Sequence, residues 1–447
     1  MIQKPKGTYD VYGLKGKQIS YIEDLLKTLM KNYNYEYFRT PVFEASELFH
    51  RGVGATTDIV TKETYDFIDR GDRNMTLRPE GTAGVVRSYI ENKMYGNSPV
   101  PVKAWYFGPM YRYERPQSGR FREFYQFGVE VFGCDNPMID AEVISIPVNI
   151  YRMLGLKGIK VNINSLGDKE SRDNYREALI KHFEPEIDNF CSDCKERFRK
   201  NPLRILDCKV DHDNELMKTA PKTIDYLNEE SKKHFEKVKE CLESLKIDYV
   251  VNPSVVRGLD YYTHTVFEVE ADIKDFGAQN VLCGGGRYNG LVEMVGGPAT
   301  SGVGFALGLE RLLNAIEAEN IKLPIEDGVD VYVIPMSENE ESYSIGLTQA
   351  LRLNGFSVDM DSMQRKINNN FKQAERLNAK YVMIIGETEI NSSIMTIKNN
   401  STKEEYKVKI NDLVDFFDEM LEEDDCCCGD DCCCGDDCHC DEHKEVK

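Results

Sequence analysis

The sequence predicts an α+β fold, with a mainly antiparallel β-sheet flanked by helices, a helical insertion, and a small α/β domain near the C-terminus. Alternating segments at 101–107, 109–114 and 124–133 follow one another without a long helix between them, which is typical of an antiparallel sheet. Charged helical stretches at 170–187 and 223–246 interrupt this pattern, and strand patterning resumes after them. A helical insertion within one sheet domain is the simplest explanation of this order.

The first predicted element is an amphipathic helix over 18–33, because apolar side chains recur on one of its faces. These side chains are Ile19, Ile22, Leu25, Leu26 and Leu29. Residues 37–43 are expected to be extended, with Pro41 at an edge or interface position because it has no N–H to donate. A strand over 263–270 and a helix near 305–319 complete the predicted sheet domain.

A domain boundary is predicted around Leu323–Pro324, beyond which strands and helices alternate. The expected order is strand 329–335, helix 338–354, strand 356–360, helix 364–378, strand 380–385, two more strands, and a helix over 411–421. The predicted segments are a sheet domain in two parts (1–166 and 252–323), a helical insertion (167–251), an α/β domain (326–420) and a tail (421–447).

Composition and charge restrict the class of protein. The chain has 447 residues, 41% of them hydrophobic and 30% charged, which is typical of a soluble globular protein with several domains. It has no apolar run long enough to cross a bilayer and no signal-peptide pattern, so we expect a cytoplasmic protein without membrane association. The net charge of −20 argues against a nonspecific nucleic-acid binder.

The acidic charge is unevenly distributed, and two basic clusters remain. The tail holds eleven Asp or Glu and two Lys, so it contributes −9, and the other 420 residues contribute −11. One basic cluster consists of Arg112, Arg115, Arg120 and Arg122, and the other of Arg365, Lys366, Lys372, Arg376 and Lys380. Such clusters allow a nucleic-acid partner in spite of the net charge, and a solvated helix face is the alternative for the second.

The segment Arg257-Gly-Leu-Asp-Tyr-Tyr-Thr-His-Thr-Val-Phe-Glu-Val269 places an arginine in a loop that leads directly into a strand. No helical or strand pattern requires Arg257 there. Its planar guanidinium can bind phosphate with two hydrogen bonds, which suits an anionic ligand. An ordinary surface salt bridge is the alternative for an isolated arginine.

A second chemistry-bearing segment, 107–133, is predicted to form a strand, a loop over 114–122, and a return strand. The loop carries arginines and a glycine. The two-residue repeat of a strand places Gln126, Gly128 and Glu130 on one face. Such a hairpin could hold a polyphosphate beside a small polar ligand, and a solvated basic hairpin is the alternative.

Three segments resemble the class-defining motifs of class II aminoacyl-tRNA synthetases. Arg39-Thr-Pro-Val-Phe-Glu44 resembles the first, segment 107–133 the second, and Gly302-Val-Gly-Phe-Ala-Leu-Gly-Leu-Glu-Arg-Leu312 the third. Thr76-Leu-Arg-Pro-Glu-Gly-Thr82, the Arg257 segment and Leu282-Cys-Gly-Gly-Gly-Arg-Tyr288 are similar to segments of the bacterial histidyl-tRNA synthetases. The resemblance extends from Gly7 to about residue 420 and does not cover the tail.

The resemblance implies a histidine site and an ATP site. The residues implied for histidine are Glu80, Thr82, Gln126, Glu130, Tyr261 and Tyr262, and those for ATP are Arg112, Arg120, Arg257 and Arg311. Glu80 and Thr82 would hold the α-amino group, with Gln126 close to the amino-acid backbone. Glu130 and Tyr262 would each meet one imidazole nitrogen, with Tyr261 nearby, which suits a ring with two distinct nitrogens. Arg112 and Arg257 would form the catalytic pair on the α-phosphate.

The implied reaction is the ATP-dependent ligation of L-histidine to tRNA(His) through a histidyl-adenylate, with release of AMP and diphosphate. ATP and Mg²⁺ are the implied cofactors. The first motif implies a homodimer, and 326–420 resembles the anticodon-binding domain, whose basic stretch over 362–380 would contact the anticodon stem. The insertion would lie against the acceptor arm.

Two other classes of protein remain as alternatives. One is a regulatory paralogue that keeps this fold and binds histidine without catalysis, and the other is a tRNA-binding sensor. The presence of Arg112, Arg257, Arg311 and a C-terminal domain disfavours the paralogue. Histidine-dependent pyrophosphate exchange would separate an active enzyme from both.

A metal site is a further possibility in the insertion. Cys191, Cys194, Cys208 and His212 have the general spacing of a zinc site, with two close ligands, a gap, and two more. The alternative is that the cysteines are small core residues, because the segment before Cys208 is apolar.

Eight of the fourteen cysteines fall in the tail, which repeats Cys-Cys-Cys-Gly-Asp-Asp at 426–431 and 432–437. This acidic, Cys-rich segment has almost no aliphatic content, so we expect it to be disordered without a ligand. Dense thiols with histidine favour soft metals such as zinc or cuprous copper. An acidic appendage that binds metals only adventitiously is the alternative.

Overall fold

The computed structural model describes residues 1–54, 59–115, 119–208, 210–255, 261–274, 276, 280–325 and 327–425. The chain divides into two compact units between Leu323 and Pro324, and the change in patterning predicts a boundary around the same residues. None of the helices in the described part of the chain combines the length and apolar content that crossing a bilayer requires. Arg257 and the Cys-rich tail from residue 426 lie outside the described residues.

The first unit contains eleven strands and eleven α-helices in its described residues. The strands are β1 (Glu36–Tyr37), β2 (Phe43–Ala45), β3 (Tyr65–Ile68), β4 (Asn74–Leu77), β5 (Val102–Tyr111), β6 (Glu123–Phe132), β7 (Ile159–Ser165), β8 (Tyr249–Val251), β9 (Thr263–Ala271), β10 (Val281–Arg287) and β11 (Gly302–Gly308). The helices are α1 (Gly13–Asn32), α2 (Ser46–Phe49), α3 (Thr82–Glu91), α4 (Met94–Asn97), α5 (Pro137–Met153), α6 (Lys169–Phe183), α7 (Ser192–Lys200), α8 (Glu215–Lys218), α9 (Glu229–Ser244), α10 (Leu291–Val295) and α11 (Leu309–Ala318).

Eight strands form the main sheet, in the order β1-β5-β6-β11-β10-β9-β7-β8. The pairings are antiparallel from β5 to β7, and the two edge pairs, β1 with β5 and β7 with β8, are parallel. A smaller sheet has the order β2-β4-β3. The antiparallel α+β fold that the strand spacing predicts is therefore confirmed.

The main core lies between the eight-stranded sheet and the helices α1, α5, α9 and α11. Ile22 of α1, Ile144 of α5 and Val238 of α9 are fully buried in it. Burying a side chain of this size contributes about 1.5–3 kcal/mol relative to leaving it exposed. The apolar face predicted for the first helix is thus the face that packs on the sheet, although the helix begins earlier than expected, at Gly13.

β5 is one continuous strand, whereas the alternation predicts two separate segments with a break at Gly108. Proline removes a hydrogen-bond donor, so it is tolerated only at sheet edges or bulges. β1 pairs with β5 only at Ala104 and Trp105, which leaves Pro109 at an edge beyond the reach of β1. The carbonyl of Pro109 accepts a hydrogen bond from Arg78 Nε at 2.9 Å.

The segment predicted as an insertion, 167–251, divides between two cores. Its first part has a small core of its own, formed by Tyr175, Leu179, Phe183, Phe190, Cys194, Ile205 and Cys208. Short 3₁₀ helices Glu184–Asn189, Pro202–Asp207 and Thr223–Tyr226 connect its α-helices. α9 instead packs in the main core through Phe235, Val238 and Leu242, and β8 pairs with β7 at the edge of the main sheet.

The second unit contains a five-stranded sheet with the order β13-β12-β14-β15-β16. Its strands are β12 (Val331–Pro335), β13 (Val358–Met360), β14 (Tyr381–Ile385), β15 (Ile394–Asn399) and β16 (Glu405–Lys409), and its helices are α12 (Glu338–Leu353), α13 (Ile367–Arg376), α14 (Glu387–Ser392) and α15 (Leu413–Asp425). The predicted order of strands and helices is found, together with the short helix α14, which the pattern does not predict.

Candidate active site

The candidate site is built on β6, which lies between β5 and β11. The register places Gly304 opposite Glu130 and Gly308 opposite Gln126. The glycine at 304 is required by space, because a Cβ there would lie 2.0 Å from Glu130 Oε2. Likewise, a Cβ at Gly128 would lie 2.3 Å from the hydroxyl of Tyr106. The absence of side chains on neighbouring strands thus makes room for Glu130 and Tyr106 within the sheet.

Glu130 is 1% exposed, and only hydroxyl groups donate hydrogen bonds to it among the described residues. Thr82 Oγ1 donates to Oε1 at 2.7 Å, and the Tyr288 hydroxyl donates to Oε2. Burial raises the pKa of Glu130 to about 8, and the hydrogen bonds from Tyr288 and Thr82 oppose this rise. The carboxyl group is therefore poised to share a proton near neutral pH.

Glu80 lies just before α3 and binds the first turn of this helix. Its Oε2 accepts a hydrogen bond from the backbone N–H of Thr82 at 2.9 Å, and its Oε1 accepts one from the N–H of Ala83 at 2.8 Å. A carboxylate at a helix N-terminus satisfies N–H groups that have no partner within the helix. Glu80 and Thr82 are thereby fixed beside Glu130, since Thr82 also donates to it.

Three tyrosines form the wall next to Glu130. The ring centroids of Tyr261 and Tyr262 are 4.8 Å apart, and those of Tyr261 and Tyr288 are 5.7 Å apart in an edge-on arrangement. All three side chains are at least 93% buried. The sequence predicts a role for Tyr261 and Tyr262 but none for Tyr288, although the Tyr288 hydroxyl donates directly to Glu130.

The cationic side of the site carries Arg112, Arg120 and Arg311. Arg112 Nε donates to the carbonyl of Pro79 at 2.9 Å, and Arg311 Nη1 donates to the carbonyl of Val281 at 2.7 Å. Arg120 lies in an ion pair with Glu114, whose Oε2 is 3.1 Å from its Nη1. Arg112 also approaches Glu114, at 3.8 Å. Backbone contacts therefore position two of the arginines, while a carboxylate neutralises part of the local charge.

One cleft of about 870 Å³ brings these groups together. Its lining includes every predicted histidine-site and ATP-site residue that lies in the described part of the chain: Glu80, Thr82, Arg112, Arg120, Gln126, Glu130, Tyr261, Tyr262 and Arg311. The lining thus combines carboxyl groups, aromatic side chains and guanidinium groups. The cleft can therefore hold a small polar ligand and a polyphosphate together.

A buried ion pair between Arg287 and Asp140 lies close to this site in the sequence, but its role is structural. Arg287 and Asp140 are both fully buried and form two hydrogen bonds, one of them 3.1 Å long between Nε and Oδ1. Although burial acts to raise it, Arg287 and His234 lower the pKa of Asp140 to about 2. The pair fixes the end of β10, immediately before Tyr288, to the first turn of α5.

A separate cluster of side chains that could hold a metal ion lies in the insertion. The ligand atoms of Cys191, Cys194, Cys208 and Asp211 all lie within 4.8 Å of one another. His212, the fourth ligand predicted from the spacing, is not in this cluster, and its Nε2 lies 3.1 Å from the carboxylate of Asp213. Asp211 lies with the three cysteines where His212 is predicted, so the cluster differs from the predicted set in one residue.

Comparison with known proteins shows the family of the chain. A sequence profile described as "Histidyl-tRNA synthetase" matches residues 7–312, and one described as "Anticodon binding domain" matches residues 330–420. The chain belongs to the histidyl-tRNA synthetase family. A histidine–tRNA ligase from Anoxybacillus flavithermus is 53% identical over 420 residues, which is 94% of this chain and 99% of that protein. One from Staphylococcus aureus (strain JH9) is 52% identical over 418 residues, 93% of this chain and 100% of that protein.

Solved structures of the synthetase family show the same fold. The apo histidyl-tRNA synthetase of S. aureus has a TM-score of 0.81 and 46% identity, and the match covers 93% of this chain and 100% of that one. A protein from Bacillus halodurans C, described as an ATP phosphoribosyltransferase regulatory subunit/histidyl-tRNA synthetase, has a TM-score of 0.58 and 22% identity over 86% of this chain and 98% of that one. The second match shows a shared fold alone.

Proposed function

We propose that the chain ligates L-histidine to tRNA(His) through a histidyl-adenylate, with release of AMP and diphosphate. The observation that carries this proposal is the single cleft in which Glu130 and its tyrosines line the same space as Arg112 and Arg311. A histidine bound at Glu130 would have its carboxylate directed along the cleft towards the arginines, where ATP would lie. Membership of the synthetase family supports the same reaction.

Histidine recognition follows from the chemistry of imidazole, whose two nitrogens have different hydrogen-bonding roles. Glu130 would bind one nitrogen and Tyr262 the other, while Glu80 and Thr82 would hold the α-amino group and Gln126 would lie near the amino-acid backbone. An apolar mimic would leave the buried Glu130 without its ligand partner. A site of this kind rejects such a mimic strongly, so it needs no separate editing step.

Activation requires the histidine carboxylate to attack the α-phosphate of ATP. Negative charge accumulates on the phosphoryl oxygens in the transition state, and fixed cationic donors stabilise it. Arg112 and Arg257 are proposed for this role, with Arg120 and Arg311 on the β- and γ-phosphate side. Bound Mg²⁺ would neutralise charge on the pyrophosphate group. Because Arg112 is already held by the carbonyl of Pro79, little reorganisation would be needed at the moment of reaction.

The remaining parts of the chain provide contacts for tRNA and for a second subunit. In the second unit, Lys366, Lys372 and Arg376 lie on or next to α13 with exposed side chains, which suits a phosphate backbone. The insertion is proposed to lie against the acceptor arm. The segment 39–44 is proposed to form the interface of a homodimer, and the enzyme is proposed to act in the cytoplasm.

A structural Zn²⁺ in the insertion is proposed as a further cofactor. Three thiols and a carboxylate whose ligand atoms lie within 4.8 Å of one another support it. Zinc accepts four ligands of this type in structural sites. For the tail, which lies outside the described residues, binding of soft metals remains a proposal from composition alone.

The substitution Arg257→Ala tests the proposed role of the arginine that lies outside the described residues. We expect ATP–pyrophosphate exchange to fall by about 100-fold or more, because a cation on the α-phosphate is lost in the transition state, while thermal unfolding stays unchanged. Arg73→Ala is a matched control, because Arg73 is an exposed arginine paired with Asp69 on the protein surface. Exchange that stays near the parental rate in Arg257→Ala would show that the role of Arg257 is wrongly assigned.

The parent protein itself separates the synthetase from the two non-catalytic alternatives. A synthetase exchanges pyrophosphate into ATP only when histidine is present. A regulatory paralogue would bind histidine without exchange, and a sensor would bind tRNA without exchange. Absence of histidine-dependent exchange would therefore overturn the proposed function.

A further inference from the structure

The cysteine cluster of the insertion lies at the boundary between two structural features. Cys194 and Cys208 are members of the small core of the insertion, at 0% and 5% exposure. Cys191 and Cys208 also line the cleft that holds the proposed active site. The same cluster therefore connects the interior of the insertion to the surface that faces the substrates.

The distances within the cluster fit a metal ion with four tetrahedral ligands, and they exclude a disulfide between Cys191 and Cys208. The Sγ atoms of Cys191 and Cys208 are 3.7 Å apart, far beyond the S–S bond length of about 2.05 Å. Four ligands at the Zn–S distance of about 2.3 Å lie about 3.8 Å from one another in a tetrahedron. Asp211 Oδ2 lies 3.4 Å from Cys208 Sγ and accepts a hydrogen bond from the N–H of Cys191 at 3.1 Å. The ligand atoms are thus already spaced for one ion.

The ligands come from both ends of a short segment. Cys191 immediately precedes α7 and Cys194 lies in its first turn, whereas Cys208 and Asp211 follow the 3₁₀ helix Pro202–Asp207. A single ion would tie these two ends together. The core of the insertion has seven buried side chains, and cores of this size commonly depend on a metal or a disulfide for stability.

The segment between the ligands carries two arginines that face the cleft. Arg197 of α7 and Arg204 of the 3₁₀ helix both belong to the cleft lining. Arg197 Nη1 donates to the carbonyl of Arg204 at 3.1 Å, so the two positions are linked. A displacement of α7 relative to the 3₁₀ helix would break this link and change the positions of the two arginines, which together are called the cationic wall.

We infer that Cys191, Cys194, Cys208 and Asp211 bind one Zn²⁺, which holds residues 191–211 together and thereby positions Arg197 and Arg204 as a cationic wall of the cleft. This inference rests on the proposed zinc site and extends it in two respects, the fourth ligand and the role of the ion. Soft thiolates select zinc over magnesium, and zinc has no geometric preference that would distort the site. The wall offers its charge to phosphate groups of a substrate in the cleft.

The test begins with metal content in a full-length chain whose eight tail cysteines are replaced by serine, which removes the competing thiols. We expect one equivalent of zinc per chain in this background. Cys194→Ser should abolish the bound zinc. Cys241→Ser is the matched control, because Cys241 is a partly buried thiol that packs against the main core. A chain without zinc in the unsubstituted site would overturn both the site and the inference.

Two further measurements separate the ligand set from the role of the ion. Asp211→Asn keeps all three thiols, so the insertion should still fold, but its zinc affinity should fall about 10-fold or more, whereas His212→Asn should leave the affinity unchanged. Equal affinities in these two variants would remove Asp211 from the ligand set. Removal of zinc by a chelator should accelerate amide hydrogen exchange over 191–211 by about 10-fold or more, and not over α9.

An unchanged exchange rate over 191–211 in the zinc-free chain would overturn the positioning role while leaving the site itself intact. None of these measurements depends on catalysis. Their failure is therefore distinguishable from failure of the proposed synthetase reaction, which histidine-dependent pyrophosphate exchange tests by itself.

Discussion

Two buried carboxyl groups of the first unit, Glu130 and Asp140, differ in the partner that each one has. Both are almost completely buried. Asp140 faces the guanidinium of Arg287, and its pKa is lowered to about 2 even though burial acts to raise it. Glu130 faces hydroxyl groups, and burial raises its pKa to about 8. Equal burial therefore leads to opposite protonation behaviour, and the partner decides the direction.

This difference in partner separates the structural role of Asp140 from the proposed functional role of Glu130. The Arg287–Asp140 pair is complete within the protein, because each charge has its counter-charge and Arg287 Nη1 also donates to the carbonyl of Cys134. Glu130 has no cationic partner among the described residues in contact with it. A buried carboxyl group left in this condition is costly to ionise, and a ligand that supplies a donor removes the cost. The proposed imidazole of histidine is such a ligand.

The largest expected effect comes from removing the carboxyl group of Glu130, at the proposed histidine site. Glu130→Gln should lower histidine-dependent pyrophosphate exchange by about 1,000-fold or more, because the amide cannot accept the imidazole proton as a carboxylate does. The measurement is kcat/KM for histidine at saturating ATP. Exchange within about 10-fold of the parent would show that Glu130 does not recognise the imidazole.

The same variant gives a second readout, on stability. Between about pH 4.5 and 8, the folded parent keeps a proton on Glu130 that the unfolded chain has released, so the free energy of unfolding falls as pH rises through this range. Glutamine does not titrate. In the absence of histidine, Glu130→Gln should therefore unfold at a higher temperature than the parent at pH 8, and the difference should shrink towards pH 5.

The next largest effect is expected when the buried Arg287–Asp140 ion pair is broken. Arg287→Leu would leave the Asp140 carboxylate buried without its cation, and the free energy of unfolding should fall by about 3–5 kcal/mol. Adding Asp140→Leu should restore much of this loss, because no uncompensated charge then remains. Arg152→Leu, at an exposed arginine of α5, is the matched control. A loss below about 1 kcal/mol for Arg287→Leu would mean that the pair contributes no more than a surface ion pair.

The smallest effect is expected for a variant that changes the surroundings of Glu130 but keeps its carboxyl group. Tyr288→Phe removes the hydroxyl that donates to Glu130 Oε2. The KM for histidine should rise about 10-fold, with little change in thermal stability, because one hydrogen bond to a buried group is lost. Tyr249→Phe is the control, since its hydroxyl binds the exposed Glu243. An equal response of both variants would remove Tyr288 from the recognition of histidine.

The sequence predicts much of the functional side of this comparison, which is Glu130 and its surroundings. It does not predict the Arg287–Asp140 pair. The two-residue repeat of a strand places Gln126 and Glu130 on one face, and the structure brings both to the cleft. The sequence predicts no role for Tyr288, because its contact with Glu130 depends on the order of the strands in space. β10 and β6 are separated by β11, and the glycines at 302 and 304 of β11 leave room for Tyr288 and Glu130 to meet.

The cysteine cluster of the insertion shows a different limit of sequence reasoning. Counting cysteine and histidine residues by their spacing indicates a site but does not give the direction of a side chain in a loop. Asp211 and His212 are neighbours, and the backbone turns the aspartate towards the thiols. Pro109 shows a third limit, since its place within a strand depends on how far β1 extends along β5. Each of these facts is tertiary, so local pattern could not supply it.

β11 has a consequence for the distance between the two ends of the cleft. Gly304 lies against Glu130, Gly308 lies against Gln126, and Arg311 follows in the first turn of α11. With a rise of about 3.4 Å per residue, the four steps from Gly304 to Gly308 span about 14 Å. Hydrogen bonds to β6 and β10 hold the strand on both sides, so the distance from Gly304 to Gly308 is fixed. A ligand that reaches from Glu130 to Arg311 therefore has to fit a spacing that this strand sets, because the strand is paired on both sides.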